Sequence, residues 1–490
     1  MNTNIPTYAR KPFLWEALIS LLSLISGVTF SIVKYGLDPQ IPMILGVIVA
    51  SLIALRCGFK WKSIQNGMVK GISSAIPAVI ILIVVGIMVG IWILAGVVPA
   101  IIYYGLELIS PTFFLPATLV ICAITSVATG TSWGTTATVG VALIGIGGGL
   151  GFPLPLVAGA VLSGAYFGDK MSPLSDTTNI ASAMVGIDVF KHVKHMSYTT
   201  SFTFVLTFII ELIIGLTYDA GAGNLARIKH IQSILAANFN LNPIVFAPIL
   251  IVIAVSYKKV PAIPGITIGA LVGVLCAALF QGANYESLVQ VASSGFESIT
   301  GDPDVDTLLT RGGMDSMMFA ISLIFTGMMF GGVMERTSQL RVVAEKILTY
   351  ARSTGSLVAT TASTCVAANI ILCDQYMAII MGARSFSTAY EEQGLAPENL
   401  SRAVEDSATV TANLVPWNAG GAYQAATLGV PTFLYLPFNF YCWLSPLVTI
   451  LFAYMGWTMT RLEDREPKNQ QVVNGQAPED ESKLANNLKV

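Results

Sequence analysis

The chain alternates long apolar runs with short polar connections. Runs of this kind occupy residues 15–33, 39–57 and 75–98, and similar runs recur as far as residue 457. A helix needs about 20 mainly apolar residues to cross the hydrocarbon core of a bilayer. We therefore predict an all-α polytopic membrane protein with about ten full spans.

Two segments do not fit a simple span. Residues 112–149 and 355–386 are long for one crossing, and each is polar near its middle, at 129–135 and 369–375. Irregular backbone is tolerated at membrane depth only where protein or a water-filled cavity surrounds it. We predict two re-entrant hairpins whose tips are these polar stretches.

Each hairpin is followed by a span whose apolar sequence is interrupted by polar residues, glycine or proline. These broken spans cover residues 153–186, with the break around 168–179, and residues 400–428. A helix break frees backbone carbonyl groups, and carriers place such breaks at their binding sites. We therefore expect the functional site at these breaks and at the neighbouring hairpin tips.

The order of hairpin and broken span occurs twice. A Gly-x-Met-x-Gly motif precedes each hairpin, beginning at Gly86 and at Gly327, and similar polar spacings begin at Asp169 and at Asp406. The charges of the loops place the two copies in opposite orientations, which predicts an inverted-topology repeat. The predicted organisation is scaffold helices at 1–74, the first repeat at 75–216, a linker with scaffold helices and an external loop at 217–313, the second repeat at 314–457, and a disordered tail at 458–490.

Composition and charge support this topology. The chain is 54% hydrophobic and only 11% charged, whereas soluble domains carry about 25% charged residues. Nothing in it suggests a nucleic-acid partner. The connections at 56–70 and 191–195 are basic, which predicts that they and both termini are cytoplasmic. His192 and His195 lie in the second of these connections, so we expect both to be solvated.

Many oxygen-bearing side chains lie at the tips and breaks. Na⁺ and Li⁺ are hard cations, and hydroxyl, amide and carboxylate oxygens are suitable ligands for them. Hydroxyl groups in membrane helices usually bond neighbouring groups, so only some of these candidates will be ligands. The candidate cation ligands are Thr129, Thr131, Ser132, Thr135, Ser172, Ser175, Asp176, Thr177, Asn369, Asp374, Asp406, Ser407, Thr409 and Asn413. Trp133, Asn179 and Asn418 are candidates for the substrate-binding surface.

Five acids are the strongest candidates for coupling a cation to a proton. They are Asp169, Asp176, Asp374, Glu405 and Asp406. Acids within membrane spans are costly and usually functional. The alternative is a structural ion pair, for example Asp169 with Lys170 or Asp406 with Arg402. A carboxylate that holds either a proton or a cation would exchange the two by competition, and coupled acids would titrate as a group.

Two motifs resemble those of the NhaC-type Na⁺/H⁺ antiporters. They are Thr-Gly-Thr-Ser-Trp-Gly-Thr at 129–135 and Gly-Asp-Lys-Met-Ser-Pro-Leu-Ser-Asp-Thr-Thr-Asn at 168–179, and the resemblance extends over residues 75–457. It implies a bacterial inner-membrane antiporter that exchanges Na⁺ or Li⁺ for H⁺ without a cofactor. It also implies an elevator mechanism on a dimeric scaffold, with functional positions at 129–135 and 169–177.

Two other functions remain open at this point. The same family includes carriers that exchange malate for lactate together with H⁺ and Na⁺, and Arg384 and Arg402 lie near the second broken span. An intramembrane aspartyl hydrolase would need two facing aspartates, for which Asp176 and Asp374 are candidates. Its flanking motifs are missing, and a hydrolase does not explain the repeat. We therefore expect a carrier and not an enzyme.

Overall fold

The computed structural model describes residues 9–108, 110–218, 224–258, 260–349 and 353–462. The described chain is almost entirely helical. Four helices precede the first hairpin, and they are α1 (Leu14–Tyr35), α2 (Gln40–Arg56), α3 (Trp61–Leu94) and α4 (Val97–Leu108). The predicted tail lies outside the described residues from 463 onward.

The first hairpin and broken span coincide with α5 to α9. The hairpin turns at Gly130, whose left-handed backbone (φ +71°) ends α5, and the span breaks at 172–175 between α8 and α9. The elements are α5 (Pro111–Thr129), α6 (Ser132–Thr135), a π-helical turn (Thr136–Gly140), α7 (Val141–Gly149), α8 (Leu154–Met171), α9 (Asp176–Val185) and α10 (Val189–Thr217).

Five helices connect the two repeats. The last two of them lie within the acidic connection at 282–313, which the sequence places outside the membrane. They are α11 (Asn224–Asn238), α12 (Ala247–Tyr257), α13 (Ala262–Phe280), α14 (Tyr285–Ser294) and α15 (Pro303–Leu309), with a 3-10 turn at Pro243–Phe246 before α12.

The second hairpin turns at Cys373 and Asp374, between α18 and α19. The second broken span contains a π-helical turn (Glu405–Thr409) and a 3-10 turn (Ala412–Leu414) before α21 begins. The helices are α16 (Met314–Arg336), α17 (Gln339–Leu348), α18 (Thr354–Leu372), α19 (Gln375–Glu392), α20 (Pro397–Val404), α21 (Ala419–Leu428), α22 (Thr432–Tyr435) and α23 (Phe440–Tyr454). Both predicted tips and both predicted breaks therefore coincide with interruptions of helix.

Among the described residues, seven helices are long and apolar enough to cross a membrane, or up to nine if each bent pair counts as one span. The seven are α1, α3, α5, α10, α13, α16 and α18. The chain is therefore a multi-span α-helical membrane protein, and the figure of about ten spans stays a prediction.

Two predicted connections are helical instead. The basic segment 56–70 is largely the first part of α3, which has 34 residues and extends past the roughly 30 Å of a hydrocarbon core. The prediction that 191–195 forms a solvated connection was wrong, because α10 already begins at Val189. The side chain of Asp188 caps its start by accepting bonds from the amides of Phe190 and Lys191, and His192 and His195 are buried.

Glycines allow two pairs of helices to pack backbone against backbone. A Cβ atom on Gly71 of α3 would lie 2.1 Å from the carbonyl oxygen of Met328 in α16. A Cβ atom on Gly168 of α8 would lie 2.4 Å from the carbonyl oxygen of Ala123 in α5. Small residues promote this close approach in membrane proteins. The α5–α8 contact brings the first hairpin tip against the first break.

Candidate functional site

A cavity of about 430 Å³ lies where the first hairpin tip meets the first break. Its remaining walls come from α3, from the start of α13 with the residues just before it, and from the start of α19. The lining residues are Pro77, Ala78, Ile81, Thr129, Gly130, Thr131, Trp133, Gly134, Asp169, Leu174, Ser175, Asp176, Thr177, Val260, Pro261, Ile266, Gln375 and Tyr376.

Asp169 is the most firmly positioned acid of this cavity. One carboxylate oxygen, Oδ2, accepts a hydrogen bond from Ser132 Oγ at 2.6 Å, and Oδ1 accepts one from Ser175 Oγ at 2.5 Å. Ser132 belongs to the hairpin tip and Ser175 to the break, so the carboxylate joins the two motifs. It is only 5% exposed, and it lies near the C-terminal end of α8, where the helix dipole favours a cation.

Asp176 contributes a second negative charge. It is the first residue of α9 and is exposed, and an acid is favourable at a helix N-terminus. The hydroxyl groups of Thr129 and Thr131 line the same cavity. Thr177 does so as well, and its Oγ1 lies 3.0 Å from Ser175 Oγ. Carboxylate and hydroxyl oxygens therefore converge on one space.

Aromatic and amide groups form another wall. The ring of Trp133 stacks on Tyr423 with 4.2 Å between centroids, and the Tyr423 hydroxyl donates to the Trp133 carbonyl oxygen. Within the described structure, the Trp133 indole nitrogen and Gln375 Oε1 have no hydrogen-bond partner. Gln375 and Tyr376 were not among the predicted site residues, although Gln375 is the last residue of the second predicted tip and Tyr376 follows it.

A second group of oxygens lies in the π-helical turn of the second broken span. Glu405, Ser407 and Thr409 are each 0% exposed. In the described part of the chain, no hydrogen bond of good geometry reaches the Glu405 carboxylate or the two hydroxyl oxygens. The Glu405 carboxyl group interacts with Thr177 and lies within electrostatic range of Asp169. This buried group therefore lies behind the cavity and not on its surface.

Asp406 has a different role from its neighbour. Its Oδ1 lies 2.5 Å from Lys170 Nζ, and both side chains are fully buried. Thr199 donates to Oδ2 at 2.7 Å, Thr449 also donates to Oδ2, and Lys170 donates to Ser445 Oγ at 3.0 Å. The pair joins the two broken spans. It replaces both ion pairs that the sequence suggested, since Arg402 bonds Thr458 instead.

The other candidate residues support the tips and breaks. Their polar groups form hydrogen bonds with nearby backbone or side-chain groups, as is usual for such residues. In the first repeat, Thr135 donates to the Thr131 carbonyl, Ser172 donates to the Val127 carbonyl, and Asn179 donates to the Pro173 and Ser175 carbonyls. In the second repeat, Asn369 donates to the Ala408 carbonyl and to Thr411, and Asn413 donates to the Val410 carbonyl and accepts a bond from Asn439. Asp374 caps the start of α19, and Asn418 caps the start of α21.

The charge of the cavity decides what it can bind. Asp169 and Asp176 are the charged side chains among its lining residues, and Lys170, the nearest cation along the chain, faces Asp406. Two carboxylates with several hydroxyl groups are suitable ligands for a small hard cation. Helix breaks that place such groups inside a multi-span bundle are features of secondary carriers of cations.

Comparisons with known proteins agree with this class. The pattern of the Na⁺/H⁺ antiporter family matches residues 11–165 and 164–457. The malate-2H⁺/Na⁺-lactate antiporter of Bacillus subtilis is 40% identical over 447 residues, which cover 91% of this chain and 96% of that protein. The Na⁺/H⁺ antiporter NhaC of Alkalihalophilus pseudofirmus is 36% identical over 447 residues, covering 90% and 96%.

A third relative carries a different cargo. The arginine/ornithine antiporter ArcD of Halobacterium salinarum is 34% identical over 460 residues, covering 93% of this chain and 95% of that protein. The chain belongs to the Na⁺/H⁺ antiporter family, as the motifs at 129–135 and 168–179 had indicated. The names of these relatives differ in substrate, so membership alone does not fix what this chain exchanges.

Proposed function

We propose that the protein exchanges cytoplasmic Na⁺, or Li⁺, for external H⁺. The observation that carries this proposal is Asp169, a nearly buried carboxylate that two hydroxyl groups hold at the wall of an acidic cavity. Asp176, Thr129, Thr131 and Thr177 supply further oxygens at the same cavity. A cation without its water shell would find several hard ligands here.

The proton is assigned to the acids around the break. Burial disfavours the charged form of a carboxyl group more than the neutral form, so we assign the exchanged proton to Glu405, which is 0% exposed. The Asp406 carboxylate, by contrast, is bonded by Lys170 and by two hydroxyl groups. Entry of a cation near Asp169 and Thr177 would favour release of the proton from this coupled group, since the two positive charges compete.

The position of the cavity suggests how access alternates. Its walls combine the tip and break of the first repeat with α3 and with residues around the start of α13. Sliding of the hairpins and broken spans against α3 and α13 would expose the cavity to one side and then to the other. We propose this elevator motion in a homodimer in the bacterial cytoplasmic membrane, with both termini cytoplasmic.

Malate/lactate exchange is the second candidate, because one relative is named for it. A volume of about 430 Å³ is large enough for a small organic molecule. A dicarboxylate would, however, face Asp169 and Asp176, and the lining residues that the structure describes include no basic side chain. Like charges repel strongly where water is largely excluded, so we rank this exchange below Na⁺/H⁺ exchange.

Transport by purified protein tests the proposal. Proteoliposomes with an internal pH dye and an imposed pH gradient would receive NaCl, LiCl, KCl, or malate with lactate. Na⁺ alone is expected to dissipate the gradient, and Asp169→Asn is expected to abolish this response. Asp38→Asn, which changes an exposed acid in the connection between α1 and α2, is the matched control. A response that requires an organic acid would refute the proposal in favour of the second candidate.

A further inference from the structure

The buried side of α10 is polar over most of the membrane span. From Thr199 to the end of the helix, its buried residues are threonines, Glu211 and a glycine. Thr199, Thr203, Thr207 and Glu211 follow one another at four-residue intervals, so they form a stripe that winds slowly around the helix. The other side of α10 exposes large apolar residues such as Phe202, Val205, Ile209 and Ile213. We call the four polar residues the α10 stripe.

Bonds to other helices do not account for Thr203, Thr207 and Glu211. Thr203 and Thr207 donate to carbonyl oxygens one turn earlier in the same helix, at 2.8 and 2.9 Å, so they do not join α10 to its neighbours. Glu211 is 1% exposed, and neither of its carboxylate oxygens has a hydrogen-bond partner in the described structure. A buried acid of this kind costs free energy without stabilising the fold, and acids retained at membrane depth are usually functional.

The stripe leads directly to the acids of the proposed exchange site. At one end, Thr199 Oγ1 donates to Asp406 Oδ2 at 2.7 Å, and Asp406 adjoins Glu405 in the π-helical turn. At the other end, Glu211 lies about 18 Å away along the axis, at 1.5 Å per residue. That end of α10 is the one that the loop charges predict to be external.

We propose that Glu211 is a proton-binding site and that the α10 stripe is a proton route, separate from the cation cavity, to Glu405 and Asp406. The proposal rests on the proposed exchange of Na⁺ for H⁺. Glu211 would give its proton to a chain of water molecules and take another from the external side, so the carboxyl group is regenerated. Successive stripe residues are about 6 Å apart along the axis, a gap that one water molecule between two polar groups can bridge.

The surroundings of Glu211 suit a relay. On α5, the Cys122 thiol is close enough to interact electrostatically with the Glu211 carboxyl group. The main influence of the protein on Glu211 itself is its burial away from water. The basic residue Lys170 lies at the far end of the route, beside Asp406. A proton on Glu211 is therefore not fixed by an ion pair and can move along the stripe.

Two fluxes measured on the same proteoliposomes separate this route from cation binding. The first is the Na⁺-driven pH change, and the second is exchange of ²²Na⁺ for unlabelled Na⁺ at equal pH, which needs no proton transfer. Glu211→Gln is expected to slow the pH change by at least about tenfold, a modest share of what a positioned proton donor contributes. Exchange of ²²Na⁺ is expected to persist at the wild-type rate.

Further variants test whether the acid itself matters. Glu211→Asp keeps an ionisable group and is expected to restore part of the proton flux. Thr207→Val removes one polar step and should give an intermediate rate, whereas Ser201→Ala, on the exposed side of the same helix, should leave both fluxes unchanged. A purely structural role for Glu211 would lower both fluxes together and would not distinguish Asp from Gln.

The outcomes separate the two proposals. Equal proton flux in wild type and Glu211→Gln would overturn the route and leave Na⁺/H⁺ exchange intact. A wild-type protein that exchanges ²²Na⁺ but moves no protons would overturn both. Should Glu211→Gln not fold, Thr207→Val and carbodiimide labelling of the unaltered protein decide. Apolar carbodiimides modify protonated carboxyl groups in apolar surroundings, so absence of label on Glu211 together with wild-type flux in Thr207→Val would refute the route.

Discussion

At the scale of single residues, Asp169 is the acid at which we propose cation binding, and two hydroxyl donors hold it in place. Ser132 and Ser175 orient the carboxylate from the hairpin tip and from the break. Hydrogen bonds to a charged group contribute about 1.5–3 kcal/mol each. The direction in which Asp169 faces the cavity therefore depends on side chains from two separate parts of the chain.

Removing one donor should weaken cation binding without destroying it. We expect Ser175→Ala to raise the Na⁺ concentration for half-maximal exchange about tenfold, which corresponds to about 1.4 kcal/mol. The rate of Na⁺-driven pH change as a function of Na⁺ concentration measures this. Ser182→Ala is the matched control, because Ser182 is buried in α9 but bonds the Asn179 carbonyl. An unchanged Na⁺ dependence in Ser175→Ala would contradict the role given to this hydroxyl.

Asp306 gives a pH-dependent prediction outside the membrane spans. The pKa of its carboxyl group lies below the usual value, because the Thr300 amide and hydroxyl donate to it, with Ser298 adding a third bond. A lowered pKa in the folded state adds stability above the ordinary carboxyl value of about 3.9, and this stability is lost as pH falls through the folded-state pKa.

The connection around Asp306 should therefore loosen in acid. We expect an acid protease that is active at both pH values to cleave near residues 298–306 at pH about 2 but not at pH about 5, on either side of the ordinary carboxyl pKa. Mass spectrometry of the fragments identifies the site. Asp306→Asn should be cleaved at both pH values. Equal resistance of the wild type and the Asp306→Asn variant would show that the carboxylate does not order this connection.

At the scale of helices, the fully buried pair of Lys170 and Asp406 holds the two broken spans together. Removing one partner leaves an uncompensated buried charge, which typically costs about 3–5 kcal/mol. Replacing both partners by apolar residues removes the charges together and is often tolerated. The pair is therefore expected to matter for folding as well as for the electrostatics of Glu405.

Single and double substitutions separate these effects. Lys170→Met should lower the free energy of unfolding by about 3–5 kcal/mol, and adding Asp406→Leu should recover most of it. Thermal unfolding in detergent measures both. Lys194→Met, at an exposed position of α10, should unfold like the wild type. A double variant no more stable than Lys170→Met would argue against a simple compensating pair.

The glycine contacts between α3 and α16 give another test at this scale. Gly71→Ala places a methyl group where the Met328 carbonyl oxygen lies 2.1 Å away, so the helices must separate. Overpacking of this kind usually costs about 1–3 kcal/mol, measured as a lower unfolding temperature. Gly27→Ala is the control, since its nearest atom would be 3.6 Å away. Equal unfolding temperatures of the two variants would show that α3 and α16 can separate at Gly71 without a measurable loss of stability.

The positions of hairpin tips and helix breaks were predicted from the sequence more accurately than the contacts between distant side chains. Hairpin tips and helix breaks were predictable, because hydroxyl groups, acids and glycine interrupt long apolar runs at 129–135, 168–179 and 369–375. The pairing of Lys170 with Asp406 was not predictable. These residues are distant in sequence, and local spacing favoured Asp169 and Arg402 as partners. The burial of His192 and His195 was missed, since basic residues at the end of a span normally indicate a solvated connection.

At the scale of the whole molecule, the cavity lies where the first hairpin tip and break meet three other helices. Its lining residues come from α3, from the first tip and break, from the start of α13 and from the start of α19. Movement of one set of these elements against the other would change which side of the membrane the acids face. This arrangement links the site to alternating access and leaves the α10 stripe as a separate feature of the first repeat.

The central claim is that Na⁺ and H⁺ compete for the acids around Asp169. Equilibrium binding of ²²Na⁺ to the purified protein, measured over a range of pH, tests it most directly. We predict saturable binding that weakens as pH falls and disappears in Asp169→Asn, while Asp38→Asn behaves like the wild type. Binding that does not depend on pH, or that survives in Asp169→Asn, would contradict the proposed mechanism.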